Sequence, residues 1–565
     1  MPQPFLRCRL RMLGMVTCLI ILGCASAPPM DKALNLTRNG QYVEAEQALH
    51  SAINEQGKNR LLSRLELGTI NHLKGDYQHS NRYFDEAEQL IDNNYTISIS
   101  QEIGQLLTGP SLSPYQSQQF ENTFVHYYKA LNYLKLAQRS DHIDNDNLDA
   151  ALVEIRKLNH RLEQQRFETG GYKARPQGGN SPENTAAQLL DIFKQALGEP
   201  AHSDKLRYRD DAYGHYIAGV LFELAGDTDN ARISYQRAAQ SYQNGFAAQY
   251  KLGDKPAQQA WYDVARIMKL DNDSDWQDIA EKHLNSQQRQ QLLKVDKHSS
   301  DLIVIQHGGT MPRREELNLR LTLDTYSRSL VLWPILTGNQ QQQRAQLAWF
   351  LMLYSDTGLI DILQNYAAGD VGTVVQGVIS KRIPIGMLWR NVEKLNLVKA
   401  LEFGARVAVP YYPPIKNTIA HSELYIDGLA TEQLLTAESI MRIALQEQIR
   451  RSNTEIQLAL TRELTKAIAA QSTADESGAS ALGGILKLVN LLTASADTRN
   501  WLTLPNSILL SRLSLAPGQH DIELKTTLSN GFVLSQKQSL NVVAGRPTLW
   551  HTHSYQPVGI ANKAL

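Results

Sequence analysis

Residues 67–87 read LGTINHLKGDYQHSNRYFDEA, and this stretch determines the fold of the N-terminal half. Leu67-Gly68 lies one helix before the turn Lys74-Gly75-Asp76-Tyr77, and the residues after the turn recur at helical spacing: Ser80, Phe84 and Ala87. Two other copies have the same order: Asn39-Gly40-Gln41-Tyr42 with Ala45, Leu49 and Ala52, and Ala225-Gly226-Asp227-Thr228 with Ala231, Tyr235 and Ala238. Small residues let two helices approach closely, and the glycine reverses the chain. The pattern predicts stacked pairs of antiparallel helices.

The three copies resemble tetratricopeptide (TPR) repeats in the order and spacing of their small and aromatic residues. A degenerate copy is predicted between them, with one helix near residues 127–134 and the next near residues 150–158. We expect TPR-like repeats over residues 24–165 and further TPR-like helices over residues 206–300. Helical hairpins without TPR superhelical geometry are the alternative. A linker rich in glycine and proline is predicted over residues 166–205, with a short helix from Thr185 to Leu197.

The rest of the chain has different periodicities. Leu317, Leu319 and Leu321 alternate with polar residues, which predicts a half-buried strand in a mixed α/β region over residues 301–505. A long helix is expected from about Thr431 to Ala470, with a break near residues 452–453, and a shorter one over residues 483–492. Alternation on both sides of Asn530-Gly531 predicts a hairpin with a type I′ turn, within an antiparallel β module over residues 506–565. The predicted class is α+β, multi-domain, with an all-α TPR-like solenoid first.

The N-terminus is typical of a lipoprotein signal peptide over residues 1–23. Arg7, Arg9 and Arg11 form its positive region, and residues 12–22 form an apolar stretch too short to span a membrane. Ile21-Leu22-Gly23-Cys24 resembles a lipobox, so we expect cleavage before Cys24 and lipid attachment, including palmitate, to its sulfur. Bacterial lipoproteins kept in the inner membrane typically have Asp at the next position, and Ala25 therefore indicates an outer-membrane protein facing the periplasm.

Charge and cysteine content exclude several classes of protein. The chain has 57 basic and 57 acidic residues, and removal of the three N-terminal arginines leaves 54 against 57, a net charge of −3. Such a balance gives no electrostatic reason to expect a nucleic-acid partner. Cysteine occurs only at positions 8, 18 and 24, so the folded body has neither disulfides nor a multi-cysteine zinc site.

The sequence contains no nucleophile elbow, phosphate-binding loop, HExxH motif or dinucleotide-binding fingerprint. His307-Gly308-Gly309 faintly resembles an esterase oxyanion loop, but a turn that ends a strand explains it better. His551 and His553 lie on one face of a predicted strand and could bind a metal. An HxH pair without a third nearby ligand is usually incidental, so we predict no metal site, no cofactor and no enzyme activity.

Residues 497–505, DTRNWLTLP, are the candidate interaction segment. Asp497, Arg499 and Trp501 lie beside a predicted strand that ends at Pro505, which suggests a fixed polar junction between the helix over residues 483–492 and the β module. A structural hinge, in which Arg499 satisfies backbone carbonyls, is the alternative.

Four features together resemble a family of proteobacterial TPR-containing outer-membrane lipoproteins with no established activity. They are the lipobox, the TPR-like repeats, residues 127–134 (YYKALNYL) and residues 497–505. The resemblance covers most of the mature chain and is weakest over residues 330–400. It implies a scaffold or adaptor that presents a TPR surface to protein partners in cell-wall or surface-structure assembly, with contact to peptidoglycan or glycan as a further option. A divergent envelope hydrolase or glycan-binding protein, with its site in the C-terminal half, is the alternative.

Overall fold

The computed structural model describes residues 28–53, 55–94, 109, 113–138, 144–167, 182–197, 210–354, 366, 380–402, 404–415, 418–477 and 495–555. The predicted signal peptide with Cys24, and the helix expected over residues 483–492, lie outside these ranges. The helices of four or more residues are α1 (Pro28–Arg38), α2 (Tyr42–Ala52), α3 (Arg60–Lys74), α4 (Tyr77–Asn94), α5 (Gln119–Ala137), α6 (Asn145–Phe167), α7 (Pro182–Leu197), α8 (Ala212–Leu224), α9 (Thr228–Ser241), α10 (Lys255–Leu270), α11 (Trp276–His283), α12 (Ser286–Lys294), α13 (Gln340–Tyr354), α14 (Trp389–Lys394), α15 (Leu397–Ala400) and α16 (Ile440–Ser477). Three-residue helical turns lie at Gly57–Asn59, Ala247–Gln249 and Gly386–Leu388, and a five-residue π-helical turn lies at Tyr242–Phe246.

The helices from α1 to α11 pack in the order of the chain, each against the next, except that α6 contacts α8 directly. Helix α7 leaves this array and packs instead on α16. The helix predicted over residues 185–197 is present as α7 and packs on the C-terminal half. The rest of the predicted linker, residues 168–181 and 198–205, lies outside the described residues. Packing between neighbours in sequence is what repeated helix pairs require.

Glycines of the predicted repeats lie at turns between helices and at close contacts between helices. The turn glycines Gly40, Gly75 and Gly226 have left-handed backbones, with φ of 76°, 82° and 78°, a conformation that costs glycine little. A Cβ atom on Gly68 would lie 2.6 Å from the Phe84 ring, and one on Gly219 would lie 2.6 Å from the Tyr235 ring. The same contact between a glycine and an aromatic ring thus closes two separate helix pairs.

The described strands follow the helical array, and the first of them begins at Ser300. They are β1 (Ser300–Gly308), β2 (Glu315–Asp324), β3 (Ser329–Ile335), β4 (Lys381–Pro384), β5 (Ala405–Tyr411), β6 (Ile419–Ile426), β7 (Leu429–Gln433), β8 (Leu435–Glu438), β9 (Ser507–Leu515), β10 (Gly518–Leu528), β11 (Val533–Val542) and β12 (Thr548–Ser554). They form a first sheet of order β12-β1-β9-β8, a second sheet of order β11-β10-β6-β7 and a third sheet of order β4-β3-β2-β5. Among the described strands, β1 and β12 pair in parallel and the other pairings are antiparallel.

The first sheet lies between the helices and the second sheet. Alternate residues of β1 show this, because Leu302 and Val304 pack against the second sheet whereas Ile303 and Ile305 join the core shared with the helices. The predicted β module at residues 506–565 is therefore not self-contained. Its strands share the first and second sheets with β1, β6, β7 and β8. The helical N-terminal region and the antiparallel sheets agree with the predicted α+β class.

Two local predictions need correction. The hairpin of β10 and β11 is present, but its turn runs from Leu528 to Gly531, and of its residues only Gly531 has a positive φ (82°). A type I′ turn needs positive φ at both central residues, so the observed loop is the longer kind with glycine at the left-handed position. The predicted helix over residues 431–470 begins only at Ile440, because residues 429–433 pair with β6, and it continues without a break through Ser452.

None of the described helices is both long enough and apolar enough to cross a membrane.

Candidate functional site

The face formed by the first helix of each pair contacts the C-terminal half of the same chain. The first helices are α1, α3, α5, α8 and α10, and each has a side chain bonded across this interface. The bonds join Arg38 to Thr310 (2.9 Å), Glu66 to Thr503 (2.6 Å), Glu121 to Trp501 (3.1 Å), Glu223 to Arg512 (2.7 Å) and Asp263 to Arg512 (3.2 Å). The helical face expected to receive a partner is thus occupied by this chain's own residues.

Trp501 lies at the centre of this interface. Its side chain is fully buried, its indole N–H is 3.0 Å from the hydroxyl of Thr69 on α3, and its backbone N–H donates to the carboxylate of Glu121 on α5 at 3.1 Å. The ring packs on Phe84 and Tyr128, with centroid distances of 5.8 and 5.9 Å. Trp501 therefore ties residues 497–505, which form no strand, to α3 and α5, and it is not accessible to an external partner. The predicted junction involves the helix over residues 483–492, which lies outside the described residues, and it stays a prediction.

The carboxyl group of Glu66 holds the segment after Trp501. One oxygen accepts the backbone N–H of Leu502 at 2.7 Å, and the other accepts the N–H and hydroxyl of Thr503 at 3.1 and 2.6 Å. Burial raises the pKa of Glu66 to about 7, although the three donated hydrogen bonds favour its charged form. This contact was not predicted, because Glu66 lies far from residue 502 in sequence and has an ordinary helical spacing.

Asp497 and Arg499 form a short ion pair at the edge of the same interface. The guanidinium donates to Asp497 at 2.7 and 2.8 Å, to the amide oxygen of Asn59 at 2.9 Å and to the carbonyl oxygen of Ser113 at 3.0 Å. It also lies 5.7 Å from the centre of the Tyr115 ring. Arg499 thus donates to a backbone carbonyl and links residues 497–505 to the helical array.

A second polar contact, a buried ion-pair network, joins the far end of the array to the first sheet. Arg512 on β9 pairs with Glu223 at 2.7 Å, Asp263 at 3.2 Å and Asp301 at 2.8 Å, and Arg266 pairs with Glu223 at 2.7 Å. The two arginines depress the pKa of Glu223 against the effect of burial. Two cations facing three carboxylates compensate one another's loss of hydration.

The first sheet brings three histidines to the face that packs on the helices. His551 and His553 alternate on β12, and His307 lies on β1 directly opposite His553. Nε2 of His551 is 3.3 Å from Nε2 of His307, and Nδ1 of His307 is 3.1 Å from Nε2 of His553. The hydroxyl of Tyr127, on α5, lies 2.8 Å from Nε2 of His307. The turn predicted after His307 is present, since β1 ends at Gly308.

His72, near the C-terminal end of α3, completes a cluster of four imidazoles. Its ring centre lies 5.3 Å from that of His551 and 5.4 Å from that of His553. Burial lowers the pKa of His72 to about 4, and burial followed by mutual repulsion lowers the pKa of His551 and His553 well below the usual value. All four imidazoles are therefore neutral near pH 7, which is the form that binds metals.

The sequence indicated only half of this cluster. His551-Thr-His553 predicts a pair of imidazoles on one strand face, but the sequence shows no third ligand near them. The third and fourth imidazoles come from positions about 240 and 480 residues away, which no local pattern connects. A prediction of β1–β12 pairing would have placed His307 there, whereas His72 arrives through packing of α3 on the sheet.

A second group of potential ligands is already occupied by a lysine. Glu88, His126 and Glu154 have ligand atoms within 4.8 Å of one another. The ammonium of Lys129 lies 2.7 Å from Glu88 and 2.8 Å from Glu154, and His126 bonds to Glu154 at 2.8 Å. A positive charge fills the centre of this group, so its electrostatics oppose a metal ion.

The outer face of the third sheet exposes apolar side chains. Trp333 and Ile335 alternate on β3 and are 42% and 38% exposed. Trp333 lies opposite Arg320 on β2, and Arg320 lies opposite Arg406 on β5. Tryptophan and arginine are the residue types most enriched at the centres of protein interfaces. We call Arg320, Trp333, Ile335 and Arg406 the outer-sheet surface.

No protein-family model matches the chain, and neither a curated protein nor a solved structure matches it.

Proposed function

We propose that the protein is a lipid-anchored adaptor on the periplasmic side of the outer membrane, where it binds a protein partner in cell-envelope assembly. Its helical array, TPR-like in its repeats, would serve as a brace clamped onto the β half. Its partner would bind the outer-sheet surface. The observation that carries this proposal is the exposure of Trp333 and Ile335 beside Arg320, while the inner helical face is filled internally.

The outer-sheet surface favours a partner that is itself apolar and acidic. Trp333 and Ile335 would lose water on contact, and burial of such side chains is the main source of affinity. Arg320 is exposed, whereas Arg406 bonds to Glu316 at 2.8 Å and to Asn318 at 2.7 Å. The guanidinium of Arg320 would pair with a carboxylate of the partner.

The proposed anchor would hold this body close to the membrane. Cys24 precedes the start of α1 by four residues, a span of at most about 14 Å when extended. Helix α1 is itself bonded to the body through Arg38 to Thr310 at 2.9 Å and Asp31 to Arg313 at 2.6 Å. Lipid at Cys24 would therefore position the whole molecule rather than a loose tether.

A photocrosslinking amino acid at position 333, used in intact envelopes, tests the proposal. We expect a discrete crosslinked adduct from position 333 and none from position 429, an exposed apolar position on β7 of the second sheet. In a second experiment the crosslinker stands at position 335, and Trp333→Ala should reduce that adduct by about thirty-fold, because truncating a central tryptophan costs about 2 kcal/mol or more of binding. Leu429→Ala is the matched control. Equal adducts from positions 333 and 429 would contradict the proposal.

A further inference from the structure

The four-histidine cluster has the dimensions of a metal site. One nitrogen each from His72, His551 and His553 lies within 4.8 Å of the other two. Ligands of a tetrahedral zinc ion lie about 3.3 Å apart, since the Zn–N distance is about 2.0–2.1 Å. Ring rotations that move each nitrogen by roughly 1 Å or less would bring all three onto one ion. The described part of the chain therefore contains a third ligand for the HxH pair.

A chain of hydrogen bonds determines which nitrogen of His72 carries the proton. The carbonyl oxygen of Gly68 can only accept, so the hydroxyl of Ser80 donates to it at 2.7 Å. Ser80 therefore accepts from the amide nitrogen of Asn132 at 2.8 Å, which leaves the amide oxygen of Asn132 facing Nδ1 of His72 at 2.6 Å. Nδ1 must carry the proton, and Nε2 of His72 carries a free lone pair.

This arrangement is the one that metal-binding histidines use. A ligating imidazole nearly always donates its other N–H to a fixed oxygen, which orients the ring and selects the tautomer. Asn132 performs that role for His72, and a second bond, from Asn132 to Asn81 at 2.8 Å, holds the amide in place. The bonds to Gly68, Ser80 and Asn132 prepare one lone pair of His72 for a ligand.

Two buried hydroxyl groups beside the cluster have no hydrogen-bond partner among the described residues. They belong to Tyr128, whose ring centre lies 5.0 Å from that of His72, and to Tyr555, whose ring centre lies 6.0 Å from that of His553. Unsatisfied buried hydroxyls cost about 1–3 kcal/mol each, so they indicate a missing partner. Water bound to an ion at the cluster would supply one.

We propose that His72, His551 and His553 bind one divalent transition-metal ion that joins α3 to β12, with His307 as the adjoining fourth imidazole. Zinc is the expected occupant, because an all-imidazole set suits zinc and its neighbours, whereas calcium and magnesium require oxygen ligands. The remaining coordination position would hold water. This inference does not depend on the adaptor function.

Metal content of the full-length lipoprotein, extracted in detergent with a tag that contains no histidine, tests the proposal. After dialysis against trace zinc we expect one equivalent per chain by elemental analysis. Cobalt(II) added to chelator-treated protein should give the visible absorption of a tetrahedral site. His553→Ala is the first variant, since His553 is partly exposed and its loss disturbs the core least. Both signals should be lost in this variant and retained in His298→Ala, an exposed histidine distant in sequence from the ligands.

Asn132→Ala tests the positioning of His72 separately from ligand loss. It should weaken cobalt affinity by about ten- to a hundred-fold while keeping a tetrahedral spectrum, as changes of such supporting residues do. Circular dichroism and thermal unfolding establish that each variant is folded. A chelator should lower the unfolding temperature of the wild type and leave that of His553→Ala unchanged.

Lys135 supplies a further test, because its charge is felt by His72, His551 and His553. Lys135→Gln removes that repulsion and should tighten cobalt binding, whereas Lys135→Arg keeps the charge and should leave it unchanged. Equal metal content in wild type and His553→Ala, or no bound metal in folded wild type, would overturn the proposal. Either result would mean that the four imidazoles form only a neutral hydrogen-bonded cluster.

Discussion

Trp501 shows at the scale of one residue how the two halves of the chain are held together. We expect Trp501→Ala to lower the free energy of unfolding by about 3–5 kcal/mol, since it leaves a cavity and removes the bond to Thr69. Urea denaturation measures the change. Trp389, which is only partly buried and bonds to Glu393 of its own helix, is the matched control, and Trp389→Ala should cost clearly less. Equal losses from both variants would contradict the central position of Trp501.

Arg499 differs from Trp501 because it lies at the rim of the same interface. Its ion pair with Asp497 is partly exposed, and such pairs contribute on the order of 1 kcal/mol or less. Arg499 stabilises the interface more through its hydrogen bonds to Asn59 and to the carbonyl of Ser113, which tie residues 497–505 to the helices. Neither residue is free to act as an anchor for a partner.

Cys24 is the residue on which the anchor prediction depends. Cys24→Ser should abolish incorporation of labelled palmitate and leave unprocessed precursor in the inner membrane, because the sulfur is the acceptor of the lipid. Cys18→Ser is the control and should mature normally, since no small residue precedes Cys18. Normal processing of the Cys24→Ser protein would refute the lipoprotein interpretation.

At the scale of the element, the repeated glycine is a direct test of helix packing. We expect Gly68→Ala and Gly219→Ala each to cost about 1–3 kcal/mol, because the added methyl group would lie 2.6 Å from a buried aromatic ring and force it to move. Gly386→Ala is the matched control, since no atom lies within 4 Å of the added carbon and its φ is not positive. Thermal unfolding of the three variants should separate them. Similar melting of all three would contradict the tight contacts.

The helix α16 shows a different effect at this scale. Residues 431–438 have a helical pattern of apolar side chains, yet most of them form β7 and β8. Their strand partners on β6 and β9 come from elsewhere in the chain and satisfy the backbone groups that a helix would have satisfied. The helix therefore begins where these pairings end, after Glu438.

At the scale of the whole molecule, the stability of the fold depends on pH because Glu66 of α3 is buried against Leu502 and Thr503. Its pKa rises from 4.5 to about 7 on folding, so the native state holds a proton that the unfolded state releases. The corresponding stability is present below pH 4.5 and is lost as pH rises through 7, by up to about 3 kcal/mol. The four histidines, with lowered pKa, give a slope of opposite sign below pH 6.5, so only a comparison of variants isolates Glu66.

Glu66→Gln provides that comparison. The variant should be less stable than the wild type at pH 4.5, and the difference should shrink as pH rises to 8, because only the wild type loses its proton. Urea denaturation at several pH values measures both proteins. Glu44→Gln, at an exposed site on α2, is the matched control. A difference for Glu66→Gln that grows with pH would contradict the raised pKa.

Features that arise between neighbours in the chain are predictable from the residues alone: the helix pairs around Gly75 and Gly226, the alternating strand at Leu317 and the hairpin at Asn530-Gly531. Packing between distant residues places the first helices around the chain's own sheet, pairs β1 with β12, and brings His72 to His551 and His553. The difference lies in the range of the interactions along the sequence. Periodicity and turn chemistry act over a few residues, whereas sheet pairing and core packing join positions hundreds of residues apart, and no local pattern specifies which of many apolar faces will meet.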